Sequence, residues 1–322
     1  MCRRTVLLIL VLLVSVEACR PAGPAPTYPA RPITLIVPFP PGGLTDQVAR
    51  PLVEAVKSYL PQPVAIANRP GAAGTIGAAE VIRARPDGYV IGLTVASTLT
   101  IQPHVTDTPY RGPETYRPIA RVIRSPLALA VRAESPWASV TELLAEARGS
   151  PGKVRVGHPG LFTIHHLAIE MLKEKSGADL TQVPFGGGGE SSAALLGGHI
   201  EAVVIPPSVI WGHVQAGKLR LLALFERERV ATIAEVPTFK ELGYDIVVSE
   251  SVVLFGPKEL PEDIVQILAT AFNAAIKTES FKKFAADNQL IIDWQDGARI
   301  YQILSDEYQF LGDLAIRIKA RS

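Results

Sequence analysis

The sequence predicts an α/β protein built as two lobes with a cleft between them. Three observations predict it. Short β-rich runs alternate with amphipathic helical runs from residue 28 onward. The alternation stops and restarts near residues 127–131. The tail from Val252 returns to a strand and then runs into helices with no new strand set, so it completes the first lobe instead of building a third. The 322 residues are enough for two cores of ordinary size. A content of 48% hydrophobic residues with scattered Gly and Pro excludes disorder, coiled coil and collagen. With 32 Lys+Arg against 31 Asp+Glu, the chain has no basic field, which argues against nucleic acid as a partner.

The elements follow in order. Residues 1–18 read as a signal peptide: Arg3 and Arg4, then an apolar run over 6–16 that is too short to span a bilayer. Val16-Glu17-Ala18-Cys19 resembles a lipoprotein box, so Cys19 is the expected lipid site; plain secretion with cleavage near Ala18 is the other outcome. Cys2 lies in the signal, which leaves no disulfide, thiol nucleophile or Cys-held metal for the body of the protein. Residues 19–27 are a tether rich in Pro, Ala and Gly. Strands are expected over 33–39, 63–67 and 89–95, with helices over 44–60 and 75–85 between them. In the second lobe, strands are expected over 127–131, 154–157, 181–184, 202–205 and 219–225. Helices are expected over 139–148, 165–175, 190–196 and 210–216. After the strand from Val252, helices cover 262–277, 279–288 and 298–319. The chain would then cross between lobes near 124–127 and near 248–252, a hinged geometry suited to trapping a ligand.

Four motifs stand at the ends of strands. Phe39-Pro40-Pro41-Gly42-Gly43-Leu44-Thr45-Asp46 is a Gly-rich loop opening a helix, whose free N–H groups favour an anion. Asp46 there serves as a capping residue or a ligand contact. Asn68-Arg69-Pro70-Gly71-Ala72-Ala73-Gly74-Thr75 opens another helix. It lacks the Lys of a phosphate loop and the spacing of a dinucleotide fingerprint, so nucleotide cofactors are excluded. Three histidines, His158, His165 and His166, lack metal-ligand spacing, and no metal is expected. Phe185-Gly186-Gly187-Gly188-Gly189-Glu190 is a fourth anion-friendly turn, in which Glu190 would repel a second carboxylate. There is no Gly-x-Ser-x-Gly elbow.

The order of short motifs along the chain resembles the Bug-type extracytoplasmic solute receptors, the binding component of tripartite tricarboxylate transporters. The residues that carry the likeness are Tyr28-Pro29, Val37-Pro38-Phe39, Gly42-Gly43 with Asp46, and Asn68-Arg69-Pro70-Gly71-Ala72. Pro86-Asp87-Gly88-Tyr89, His166-Leu167, Gly197-Gly198-His199, Ala216-Gly217-Lys218-Leu219-Arg220 and Val236-Pro237-Thr238 continue it. The resemblance implies a two-lobed clamshell of the type II periplasmic-binding-protein kind, with two mixed sheets flanked by helices. It implies one lobe from 28–126 plus 249–322 and the other from 127–248. It implies a non-enzymatic, cofactor-free monomer in the periplasm or tethered at the cell surface. Such a receptor takes a small organic acid and delivers it to membrane permease subunits.

The resemblance also implies the gripping positions. In the first lobe they are Phe39, Gly42, Gly43, Thr45, Asp46, Ala73, Gly74 and Thr75, with the loop at Ser97 and Thr98 nearby. In the second they are His158, Gly160, Phe162, Thr163, Phe185, Gly186, Gly187, Glu190 and Pro206. His158 stands where the family usually has Ser, Phe162 where it has Gly, and Pro206-Pro207 where it often has Asp. These departures predict a ligand with one carboxylate and an aromatic or less polar far end, with His158 donating to an anion. Two other functions remain open at this point. One is an exported hydrolase pairing His165 or His158 with Ser191; the other is a sensor serving a membrane signalling partner.

Overall fold

The computed structural model describes residues 28–320. The expected signal peptide, Cys19 and the whole tether lie outside the described residues.

The first sheet begins with β1 (Ile33–Val37), α1 (Leu44–Val56), β2 (Val64–Asn68), α2 (Thr75–Ile82) and β3 (Val90–Val95). Two short helices follow, α3 (Ala96–Thr100) and α4 (Gln102–Val105), and then the long strand β4 (Tyr116–Pro126). Leu127 alone separates β4 from β5 (Ala128–Arg132), the first strand of the second sheet. That sheet continues through α5 (Val140–Gly149), β6 (Val154–His158), α6 (Ile164–Ser176), β7 (Leu180–Pro184) and α7 (Gly188–Leu196). It ends with β8 (Ala202–Ile205), α8 (Pro207–Gln215) and β9 (Leu219–Leu224). The chain returns to the first sheet as β10 (Ser249–Pro257), then α9 (Glu262–Ala275), α10 (Glu279–Asp287), β11 (Ile291–Asp296) and α11 (Gly297–Lys319).

Both sheets are mixed. The first has the order β11-β4-β10-β3-β1-β2, with β1 parallel to β2 and β3, and β10 antiparallel to β3 and β4. The second has the order β7-β6-β8-β5-β9, with β6 parallel to β7 and β8, and β5 antiparallel to β8 and β9. The period of two in β1 sends Ile33, Leu35 and Val37 into the core under α1 and α9, while Ile36 faces the core under α2. Burial on both faces explains why β8 is a continuous apolar run and why β1 is apolar at every position but the partly buried Thr34.

Three expectations are corrected. β4 is a full strand of 11 residues that apolar patterning does not reveal. It carries Arg117, Arg121 and Arg124, and each finds a carboxylate from a distant segment: Glu262, Asp293 and Glu226 respectively. The tail adds a strand, β11, antiparallel to β4, where only helices were expected. Ser97 and Thr98 lie in α3, not in a loop.

The last helix also does more than complete the first lobe. Ile300 and Leu304 pack under the first sheet, whereas Leu311, Leu314, Ala315 and Ile318 join the core of the second, together with Ile101 and Val105. Lys319 Nζ donates to the Val105 carbonyl at 2.6 Å and ties down the last turn.

Candidate functional site

The carboxyl ends of β1, β6 and β8 and their following loops open onto one cavity of about 400 Å³ between the sheets. Phe39, Pro40, Pro41, Gly43, Leu44 and Thr45 line it from the first lobe, with Val95 and Ser97. Pro159, Thr163, His165, Gly187, Gly188, Gly189, Glu190, Ala193, Pro206 and Val209 line it from the second, and Glu250 of β10 also lines it. A second compartment of about 430 Å³ shares Phe39 and Pro159 with the first. It is lined by Ala73, Gly74, Gly160, Leu161, Phe162, Phe185 and Gly186, among others. The lobes meet around these spaces. Gln102 Nε2 donates to the carbonyls of Leu161 and Phe162, each at 2.9 Å.

Two helix starts converge on the first cavity. α1 begins at Leu44 after Gly43, and α7 begins at Gly188 after Gly187; neither has a side-chain cap. Each therefore presents first-turn N–H groups and the positive end of its dipole at the lining, one from each lobe. Glycine suits this arrangement because nothing projects between backbone and ligand. Among the described residues, no lysine or arginine lines the cavity, so backbone groups are its source of positive potential.

Several expected residues stand behind the lining. Asp46 is buried and fully engaged. Oδ2 accepts from Gly42 N at 3.0 Å and from Arg50 Nε at 2.9 Å; Oδ1 accepts from Arg50 Nη2 at 3.0 Å and Asn68 Nδ2 at 3.1 Å. Burial opposes its ionisation, but the bonds from Arg50, Gly42 and Asn68 outweigh that and hold the carboxyl below its ordinary value. Asp46 thus fastens the loop that carries Gly42 and Gly43, and its oxygens are spent on the protein. Thr98 Oγ1 donates to Ala73 O at 3.0 Å, and Thr75 Oγ1 to Ala72 O at 3.0 Å, so both shape the second loop. Gly74 has φ +89°, and a Cβ there would come 2.8 Å from Thr98 Oγ1 and 3.0 Å from the Phe39 ring.

His158 does not reach either compartment. It has no exposed surface, sets Nδ1 2.8 Å from Gly160 O, and stacks on His166 at 5.0 Å between centroids. Burial, with His166 beside it, pulls its pKa down to about 3, which keeps it neutral. It buttresses the loop and does not donate to an anion in the cavity. Phe162 keeps a left-handed backbone, φ 53°, the conformation that glycine adopts most easily, while its ring adds bulk to the second compartment. Thr163 caps α6 by accepting from His166 N at 3.5 Å.

Ser191 is not paired with a histidine. Its Oγ donates to the carbonyls of Gly188 at 3.0 Å and Gly187 at 3.3 Å, the usual back-bonding of a hydroxyl in a helix. Among the described residues no group of three metal-ligating side chains comes together, and no helix is long and apolar enough to cross a membrane.

Glu250 and His165 also line the cavity, and neither is among the gripping positions expected from the sequence. Glu250 is 1% exposed, and Ser97 reaches it through its backbone and, at 3.5 Å, its hydroxyl. His165 Nδ1 lies 3.9 Å from Glu250 Oε2. Burial, then the nearby Glu307, pushes the Glu250 carboxyl well above its ordinary range, and burial pulls His165 down to about 3. Glu250 stands two residues before the apolar run 252–257, and that is its sequence signal: a charge on a buried strand needs a reason.

A family model described as tripartite tricarboxylate transporter family receptor matches residues 48–318. A Cupriavidus necator protein called the UPF0065 protein in gbd 5'region is 36% identical over 81% of this chain and 80% of its own length. BugT of Bordetella pertussis is 33% identical over 88% of each chain. Among solved structures, MatC from Rhodopseudomonas palustris with bound malate superposes with a TM-score of 0.82 at 26% identity, over 89% of this chain and all of its own. Two lobes of mixed sheet, a cavity between them and a match across most of the chain agree, and the protein belongs to the tripartite tricarboxylate transporter family of receptors.

Proposed function

We propose that the protein captures a small organic acid with one carboxylate and a largely apolar body, and delivers it to the membrane permease subunits of a tripartite transporter. The observation that carries this is the convergence of the α1 and α7 starts, one from each lobe, on a cavity whose apolar walls include Phe39, Pro40, Leu44, Val95 and Val209. The carboxylate binds at the helix starts, where backbone N–H groups hold it without a basic side chain. The apolar body lies along the proline, leucine and valine walls. A second carboxylate would meet Glu190 or Glu250 with no cation to offset its burial. The malate on MatC supports carboxylate capture as a family property.

In this scheme residues 28–126 and 249–320 form one lobe and 127–248 the other. Ligand contacts made only in the closed state favour closure. The protein acts as an exported monomer without cofactor or catalysis, its signal peptide removed and Cys19 lipidated. Calorimetry against mono-, di- and aromatic carboxylic acids tests the ligand class. The expected result is tight binding of an acid with a single carboxylate and an apolar or aromatic body. Tight binding confined to citrate-like or C4-dicarboxylic acids would overturn it.

A further inference from the structure

We infer that Glu250 is a specificity-determining residue that takes a protonated nitrogen at the end of the ligand remote from its carboxylate. The inference deepens the proposed function and rests on carboxylate capture by the same cavity. Three observations carry it.

Glu250 lines the cavity yet is 1% exposed, and the ion pairs among the described residues give it no lysine or arginine. Two other buried acids, Asp46 and Glu226, differ. Asp46 has Arg50, and Glu226 has Arg124 at 2.9 Å. A buried carboxyl without a cation is costly for the protein, and a cationic group arriving with the ligand offsets that cost.

His165, beside it, also lines the cavity. It is buried, and neither Nδ1 nor Nε2 has a hydrogen-bond partner among the described residues. A neutral imidazole offers one acceptor nitrogen, so Glu250 and His165 together present acceptors to a polyvalent donor such as an ammonium group.

The same cavity carries both kinds of partner. Positive helix starts stand at Leu44 and Gly188, while Glu250 and the unpartnered nitrogens of His165 offer acceptors. A dipolar ligand, carboxylate at one end and ammonium at the other, matches both kinds at once. Water is displaced from neither charge without replacement.

The test uses the folded protein and three matched sets of probes. These are straight-chain ω-amino acids of three to six carbons, fatty acids of equal length, and dicarboxylates of equal length, each titrated by calorimetry. The expected result is that at one chain length the amine-ended acid binds at least about tenfold more tightly than the methyl-ended acid, and that the dicarboxylate binds worst. Glu250→Gln is expected to abolish the preference for the amine while binding of the methyl-ended acid survives. A wild-type preference for the methyl or carboxylate end, or an amine preference unchanged in E250Q, overturns the inference and leaves carboxylate capture standing. If no carboxylate binds in any set, carboxylate capture falls and the inference falls with it. Should E250Q fail to fold by circular dichroism, the wild-type ranking decides by itself.

Discussion

Removing the Asp46 carboxylate would leave the Gly42 amide, the Asn68 amide and the Arg50 guanidinium without their shared acceptor. Asp46→Ala is therefore expected to lower the unfolding free energy by about 2–3 kcal/mol, read by urea denaturation. An unchanged midpoint would show that the loop holds itself. The pH dependence has a definite sign. The folded carboxyl sits below its ordinary value, so its contribution is present above that value and is lost as pH falls through the folded one. Gly74→Ala is expected to weaken acid binding by about tenfold, because its Cβ would press on Thr98 and on the Phe39 ring that lines both compartments. Binding equal to wild type would mean that the loop relaxes without moving Phe39. At this scale the sequence told which loops reach the cavity more reliably than which side chains do. Glycines before helix starts are a local pattern, so Gly43, Gly187 and the two helices they open were legible. Whether Asp46 or His158 faces ligand or protein depends on partners far along the chain or behind the loop, such as Asn68 for Asp46 and His166 for His158.

Strands dominated by apolar, β-branched residues, β1, β3 and β8, were legible because burial on both faces selects for such residues, with a threonine in each of β1 and β3 as the exception. β4 was not, because its arginines read as surface until the carboxylates that pair with them are brought alongside by β11, α9 and the turn after β9. β11 was hidden for a related reason: Ile291–Asp296 mixes Asp, Trp and Gln on a sheet edge. The last helix gave a clear helical period, but the period does not say that its two halves serve different cores. Leu314 packs with the second-sheet cluster although the helix starts beside β4. Leu314→Ala is expected to cost about 2–4 kcal/mol in unfolding free energy, the range for a leucine removed from a core. A loss under about 0.5 kcal/mol, the size of an ordinary surface change, would show that the last turns of α11 do not hold the second core.

Across the whole molecule, buried histidines and buried acids oppose one another in pH. His158 and His165 are pulled from an ordinary 6.5 to about 3, chiefly by burial. As pH falls below 6.5 the unfolded chain takes up protons that the folded chain refuses, so their contribution lowers stability toward acid. Glu307 is pushed from 4.5 to about 7 by burial, against the pull of Arg121, and Glu250 is pushed up as well. Here the folded chain holds protons that the unfolded chain releases, so stability falls as pH rises from 4.5 through 7. The expected profile has its maximum at mildly acidic pH. Glu307→Gln is expected to flatten the loss between 4.5 and 7 in thermal unfolding followed across pH. An identical slope in the variant would mean that Glu307 titrates as an ordinary surface acid.

The central claim is that helix starts from both lobes hold one carboxylate in the cavity between the sheets. A crystal structure of the protein with a bound monocarboxylic acid tests it most directly. The predicted result places the carboxylate oxygens about 3 Å from first-turn amides of both α1 and α7, with the body of the acid against Phe39, Val95 and Val209. A carboxylate seated on the Glu250 and His165 floor, or an acid bound outside this cavity, would contradict it.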